Sequence, residues 1–109
     1  PAAHGVVAHA RGDWATAARQ LGDALPHLQA IGGSHAQRAL FGALWLDALI
    51  RAEWNDRALA ELLANARARG NIAHIQRDLA TIYQRLGRAE DALTARQQAE
   101  RLTRRYRTD

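Results

Sequence analysis

Cysteine is absent from the 109 residues, which removes disulfides, thiolate metal sites and cysteine nucleophiles from consideration. A reducing cytoplasm suits that composition, and the chain is expected to work there. Lysine is absent too, so all fifteen basic side chains are arginine. Proline occurs only at Pro1 and Pro26, and aromatics make up 6% of the chain. β-Branched residues are few, which argues against a sheet. No apolar run approaches the roughly 18 residues that would span a bilayer, and no signal-peptide pattern opens the chain. No membrane association is expected. Pro1 stands inside a helical pattern, so the chain is read as a piece of something longer.

What remains is rich in small apolar residues. Hydrophobic residues reach 48%, and alanine is the largest part of that share. Alanine has the highest helix propensity and lets helices pack closely, so the expected fold class is all-α with one modest core. The formal charge is +4, and it is unevenly spread. Residues 1–66 carry five arginines against six acids, whereas residues 67–109 carry ten against five.

Glycine and capping residues divide the chain into six helical segments. The first stops at Gly12, and Asp13 can cap the second, which carries Ala17, Ala18, Leu21, Ala24 and Leu25 at spacings of three and four. Pro26 falls inside that pattern and should kink it. Ser34 and Gln37 have the spacing of a capping box ahead of Leu40, Phe41, Leu44, Trp45, Ala48 and Leu49. A turn at Glu53, Trp54 and Asn55 leads to a fourth helix with Ala58, Leu59, Leu62 and Leu63 inward. Asn71 is placed as the N-cap of a fifth helix running from Ile72 to Leu86, closed by Gly87. The sixth carries Ala92, Leu93, Ala95, Ala99, Leu102 and Tyr106 on one side and charges on the other. Short connections between such helices mean antiparallel neighbours.

Three stretches repeat one another: Ala-Arg-Gly-Asp-Trp-Ala-Thr-Ala at 10–17, Ala-Glu-Trp-Asn-Asp-Arg-Ala at 52–58 and Leu-Gly-Arg-Ala-Glu-Asp-Ala at 86–92. Each joins two helices and ends on a small residue. This pattern resembles the tetratricopeptide repeat, a helical hairpin whose signature includes three small positions where helix backbones approach. Gly5, Ala17 and Ala24 fill them in the first copy, and Ala80, Ala92 and Ala99 in the third. The middle copy has Leu46, Ala58 and Asn65, so only its second position is small. Ala17 and Ala58 are 41 residues apart and Ala58 and Ala92 are 34, the extra length lying around Pro26 to Ser34. The segment Ile-Gly-Gly-Ser-His-Ala-Gln-Arg at 31–38 is similar to one in the family of tetratricopeptide repeat protein 38. The resemblance implies an α-α superhelix of about three hairpins, about 1–31, 34–68 and 71–106, in a single domain.

It also implies a scaffold for protein–protein interaction, with a groove lined by the first helix of each hairpin. Carried over, the groove residues are Val6 and His9 from the first copy. The second copy contributes Leu40, Ala43, Asp47, Ile50 and Arg51. The third contributes His74, Arg77, Thr81, Gln84 and Arg85. Arginines there suit a carboxylate or an acidic peptide, because a guanidinium pairs with a carboxylate in a two-pronged geometry; the plainer alternative is that they are solvated surface or pair with Asp47 and Asp78. The chaperone-binding clamp of this superfamily requires an asparagine where Thr81 or Asp47 stands, so that clamp is not expected.

Other candidates have plainer explanations. Capping accounts for Ser34 and Gln37, leaving His35 and Arg38 as first-turn residues rather than catalysts. His4, His9, His27, His35 and His74 show no metal-ligand spacing, so no metal or other cofactor is expected. Trp14, Trp45 and Trp54 read as space-filling residues between helices, Trp54 being the most exposed. Arg101, Arg104, Arg105 and Arg107 form a basic end that complements the last helix dipole. Weak nucleic-acid binding there is a lesser alternative, since only Tyr106 interleaves and no nucleic-acid motif is present. A further alternative is stacking or self-association through the apolar start, Ala2, Ala3, Val6, Val7 and Ala8. No nucleophile with a base, no paired carboxylates and no phosphate loop point to an enzyme.

Overall fold

The computed structural model describes residues 2–30, 35–70 and 72–107. Among them the fold is all-α: α1 (Ala2–Ala10), α2 (Trp14–Ala30), α3 (His35–Arg51), α4 (Asn55–Arg69), α5 (Ala73–Arg85) and α6 (Ala89–Arg107). The described residues contain no strand. No helix among them is long and apolar enough to cross a membrane. The chain forms two compact units, residues 1–54 with α1 to α3 and residues 55–109 with α4 to α6.

In the first unit α2 packs against both α1 and α3. Asp13 starts α2, its carboxylate accepting the Thr16 N–H at 3.3 Å, which satisfies one of the free donors of a helix start. The helix continues through Pro26 to Ala30, although proline removes the bond to the Gly22 carbonyl. Ala17, Ala18, Leu21, Ala48 and Leu49 are buried. Gly5 on α1 is also buried, and a Cβ there would lie 2.7 Å from Leu21 Cγ and 3.1 Å from the Leu21 nitrogen. The missing side chain therefore lets the two backbones approach. Gly22 makes room for a side chain of α3, since a Cβ there would stand 3.0 Å from the Trp45 indole nitrogen.

In the second unit α5 and α6 form a hairpin, and α5 also contacts α4. Ile75, Leu79, Ala80 and Ile82 are buried on α5, and Ala92, Ala95 and Ala99 on α6. Two expectations change here. The N-cap of α5 is Ile72, with extended backbone and no side-chain cap bond, so the helix begins one residue later than its apolar pattern suggests. Asn71 itself, like Ser34 of the expected capping box, lies outside the described residues. Leu93 is 51% exposed, because helical rotation points it away from the face that Ala92, Ala95 and Ala99 present.

Three turns share one hydrogen-bond pattern. Gly12, Glu53 and Gly87 all have positive φ, at 77°, 62° and 76°. Each donates its N–H to the carbonyl three residues back, on His9, Ile50 and Gln84, at 3.1 Å in every case. The following residues, Asp13, Trp54 and Arg88, donate to carbonyls five back at 2.9, 3.0 and 2.8 Å. This pairing closes a helix with a left-handed residue. Five residues after each left-handed residue comes a fully buried alanine: Ala17, Ala58 and Ala92.

Three substitutions test this packing in denaturant melts. Gly5→Ala is expected to cost about 1–3 kcal/mol through overpacking against Leu21. Gly42→Ala in α3, where a Cβ meets nothing within 4 Å, is expected to gain about 0.5–1 kcal/mol from helix propensity. Glu53→Gly relieves a left-handed side chain and is expected to stabilise by about 0.5–1 kcal/mol.

Candidate functional site

Seven of the groove residues singled out in the sequence fall into two polar sites, one in each unit, and Val6, Leu40, Ala43, Ile50 and His74 fall in neither. In the first unit, α1 contributes His9 and α3 contributes Asp47 and Arg51, four residues apart on one helix face. His9 Nε2 lies 2.7 Å from Asp47 Oδ2. A carboxylate only accepts hydrogen bonds, so this contact requires Nε2–H as donor. Arg51 Nε donates to Oδ1 and Oδ2 of the same carboxylate at 3.1 and 2.9 Å. Trp14, at the start of α2, holds the other side. Its ring meets His9 edge-on at 5.0 Å, and the Arg51 guanidinium carbon stands 4.8 Å from its centroid.

Three helices are thus joined through one carboxylate and one indole. Arg51 has its charge balanced by Asp47 and its planar face covered by Trp14. The cluster offers a bound carboxylate rather than a free one, and no hydroxyl or thiol is bonded to His9 among the described residues. Its chemistry is that of a tie between helices. Val6 is half-buried and takes no part in these bonds.

The second site is an open groove of about 810 Å³ between α5 and α6. From α5 it is lined by Arg77, Ala80, Thr81, Gln84 and Arg85. From α6 it is lined by Arg96, Ala99, Glu100, Thr103 and Arg104. The surface is mostly apolar, with alanines at its floor and arginine stems in its walls. Arg77 Nη1 donates to Thr103 Oγ1 at 3.3 Å, and Arg85 Nη1 to Asn55 Oδ1 at 3.5 Å. Thr81 donates back to the Arg77 carbonyl at 3.2 Å and Thr103 to the Ala99 carbonyl at 2.8 Å. No three metal-ligating side chains come together among the described residues.

No family model matches this chain, and no curated protein or solved structure shows significant similarity to it.

Four of the five residues picked from the third repeat, Arg77, Thr81, Gln84 and Arg85, share the groove. The fifth, His74, is exposed and does not line it. Arg104 belongs by sequence to the basic helix end, and the repeat register does not mark the α6 wall. Its signal is present in the spacing: Arg96, Glu100 and Arg104 recur every four residues, with Ala99 and Thr103 alongside. Trp14, a space-filling residue by its sequence position, is only half-buried and serves as a platform for His9 and Arg51.

The tie in the first unit is open to a double-mutant cycle. His9→Ala and Asp47→Ala should show a coupling of about 0.5–1.5 kcal/mol in melts. The exposed Asp47–Arg51 pair, measured in the same way, should contribute no more than about 0.5 kcal/mol.

Proposed function

We propose that this chain is a tetratricopeptide-type helical-repeat module that binds a peptide or protein segment as an interaction scaffold. The α5–α6 groove carries this reading. Four side chains that the repeat register marks as ligand-facing line a single open channel there. A channel of this volume, with a mostly apolar surface and polar side-chain heads around it, has the character of a binding site. The repeat assignment draws support from the three matched turns and from Ala17, Ala58 and Ala92, which are equivalent in register and all fully buried. The left-handed Glu53 supports the register of the middle copy, where the sequence was least regular. Cytoplasmic action belongs to the same proposal and agrees with the lack of cysteine.

Stacking or self-association is the second reading, and Val7 favours it, being 48% exposed on the apolar first helix. Light scattering after size exclusion separates the two, since self-association through α1 should vanish in Val7→Glu.

A displayed random-peptide library tests the binding reading directly. The wild-type chain should enrich a consensus, and Arg77→Glu/Arg85→Glu protein should lose it while keeping the same melting temperature. Enrichment no greater than on an unrelated helical protein would overturn the proposal.

A further inference from the structure

We infer that the α5–α6 groove takes an aromatic side chain of the bound protein segment, held against arginine stems and guanidinium faces above Ala80 and Ala99. This rests on the peptide- or protein-binding reading above, and names the class of side chain that anchors the occupant.

The groove lies where the first unit is filled by a leucine. Gly12 and Gly87 close α1 and α5 with the same hydrogen bonds. Counting from them, Gly5 and Ala80 stand seven residues before, Leu21 and Arg96 nine after, and Ala24 and Ala99 twelve after. In the first unit Leu21 is fully buried, and a Cβ on Gly5 would lie 2.7 Å from its Cγ. Ala80 carries that Cβ. At the same helix separation, a leucine in place of Arg96 could not settle onto α5 as Leu21 settles onto α1. The α6 residue is instead long and exposed, and it lines an open groove. Val6 and Leu25, next to Gly5 and Ala24, have Thr81 and Glu100 as counterparts, and both of these line the groove too.

The lining decides what fits. Ala80 and Ala99, 5% and 4% exposed, form a floor with little surface of its own. Much of the wall is arginine, whose methylene stem is apolar and whose guanidinium group is flat. Arg77 stands three residues before Ala80 on α5, and Arg96 three before Ala99 on α6. Because the helices of this hairpin are antiparallel, the two arginines stand toward opposite ends of the alanine floor. An aromatic ring meets both parts of such a wall, its body against the stems and its electron-rich face against a guanidinium plane. An aliphatic side chain of equal size meets only the first.

Other arginines of this chain already do this. The Arg51 guanidinium carbon stands 4.8 Å from the Trp14 centroid, and that of Arg88 4.6 Å from the Tyr83 centroid. Both arginines also pair with a carboxylate, Asp47 at 2.9 Å and Asp91 at 2.8 Å. Hydrogen bonds use the edge of a guanidinium and rings use its face, so one does not exclude the other. The Arg77–Thr103 bond is likewise made at the edge. The anchor therefore does not depend on how far the groove charges are balanced, nor on the backbone conformation of the occupant. A single-stranded nucleic acid stacks successive bases on aromatic platforms, and no aromatic residue lines this groove.

N-acetylphenylalanine amide, titrated into the full chain with methyl-labelled alanine, tests the anchor without assuming a peptide sequence. The Ala80 and Ala99 methyl signals are expected to move upfield, the direction of a ring lying over them, and to saturate in the millimolar range. The cyclohexylalanine analogue, similar in bulk but without a π-face, is expected to bind about two- to fivefold more weakly. Arg96→Gln, at an exposed position, should narrow that difference and Arg77→Gln/Arg96→Gln should abolish it. Arg19→Gln in the first unit should leave it intact. Because Arg77 bonds Thr103, the methyl shifts of the unsubstituted protein give a readout that no substitution disturbs. The consensus from the peptide library should contain Trp, Tyr or Phe, and replacing that residue by Ala should weaken binding at least about tenfold. Equal binding of the two amides, or shifts confined to other residues, overturns the inference and leaves peptide binding standing. A consensus without an aromatic residue does the same. No consensus together with no methyl shift overturns both readings, as does a single-stranded RNA that binds more tightly and displaces the amide from the same methyls.

Discussion

Helix backbones come close in this protein where a side chain is absent or reduced to a methyl group. Gly5 is the sharpest case, since any Cβ would collide with Leu21. Ala17 and Ala92 serve the same end in their own units, both at zero exposure. Larger residues then fill the space that close approach defines, with Leu21 and Leu49 fully buried in one unit and Leu62 and Ile82 in the other. Burying one such side chain contributes about 1.5–3 kcal/mol. Without the small residues these contacts could not form, because helices held further apart leave voids that lose dispersion contacts.

The turns hold the same constraint from outside. A left-handed residue followed by a second bonded N–H ends one helix and lets the next begin within three residues. Gly12 and Gly87 adopt that conformation without steric cost. Glu53 adopts it with a side chain attached, and the two hydrogen bonds that follow are as short as in the glycine turns. The middle turn thus keeps its geometry against its own residue preference, held by those two hydrogen bonds.

The two polar sites use arginine differently. Arg51 is enclosed by a carboxylate, an imidazole that shares it and an indole face, so its charge serves the fold. In the groove, Arg77 donates to the Thr103 hydroxyl and Arg85 to the Asn55 amide oxygen. The separation follows from where acids lie along the helices. Asp47 is one turn before Arg51, while on the groove face Glu100 is the one acid among four arginines.

Much of this was legible in the residue order. Glycine punctuation, the Asp13 cap and the spacing of Ala17, Ala24, Ala80, Ala92 and Ala99 identified six helices and their close contacts, because capping and helical periodicity are local properties. The α5 half of the groove was legible for the same reason. Periodicity misjudged Leu93, since an apolar residue can fall just outside the buried stripe, and it could not show that Ile72 rather than Asn71 occupies the cap of α5. The union of His9 with Asp47, 38 residues away, and the pairing of Arg77 with the Thr103 side of α6 were decided only by tertiary structure. Such contacts depend on how helices rotate about their axes when they pack, and that rotation is determined by the shapes of side chains on both partners at once.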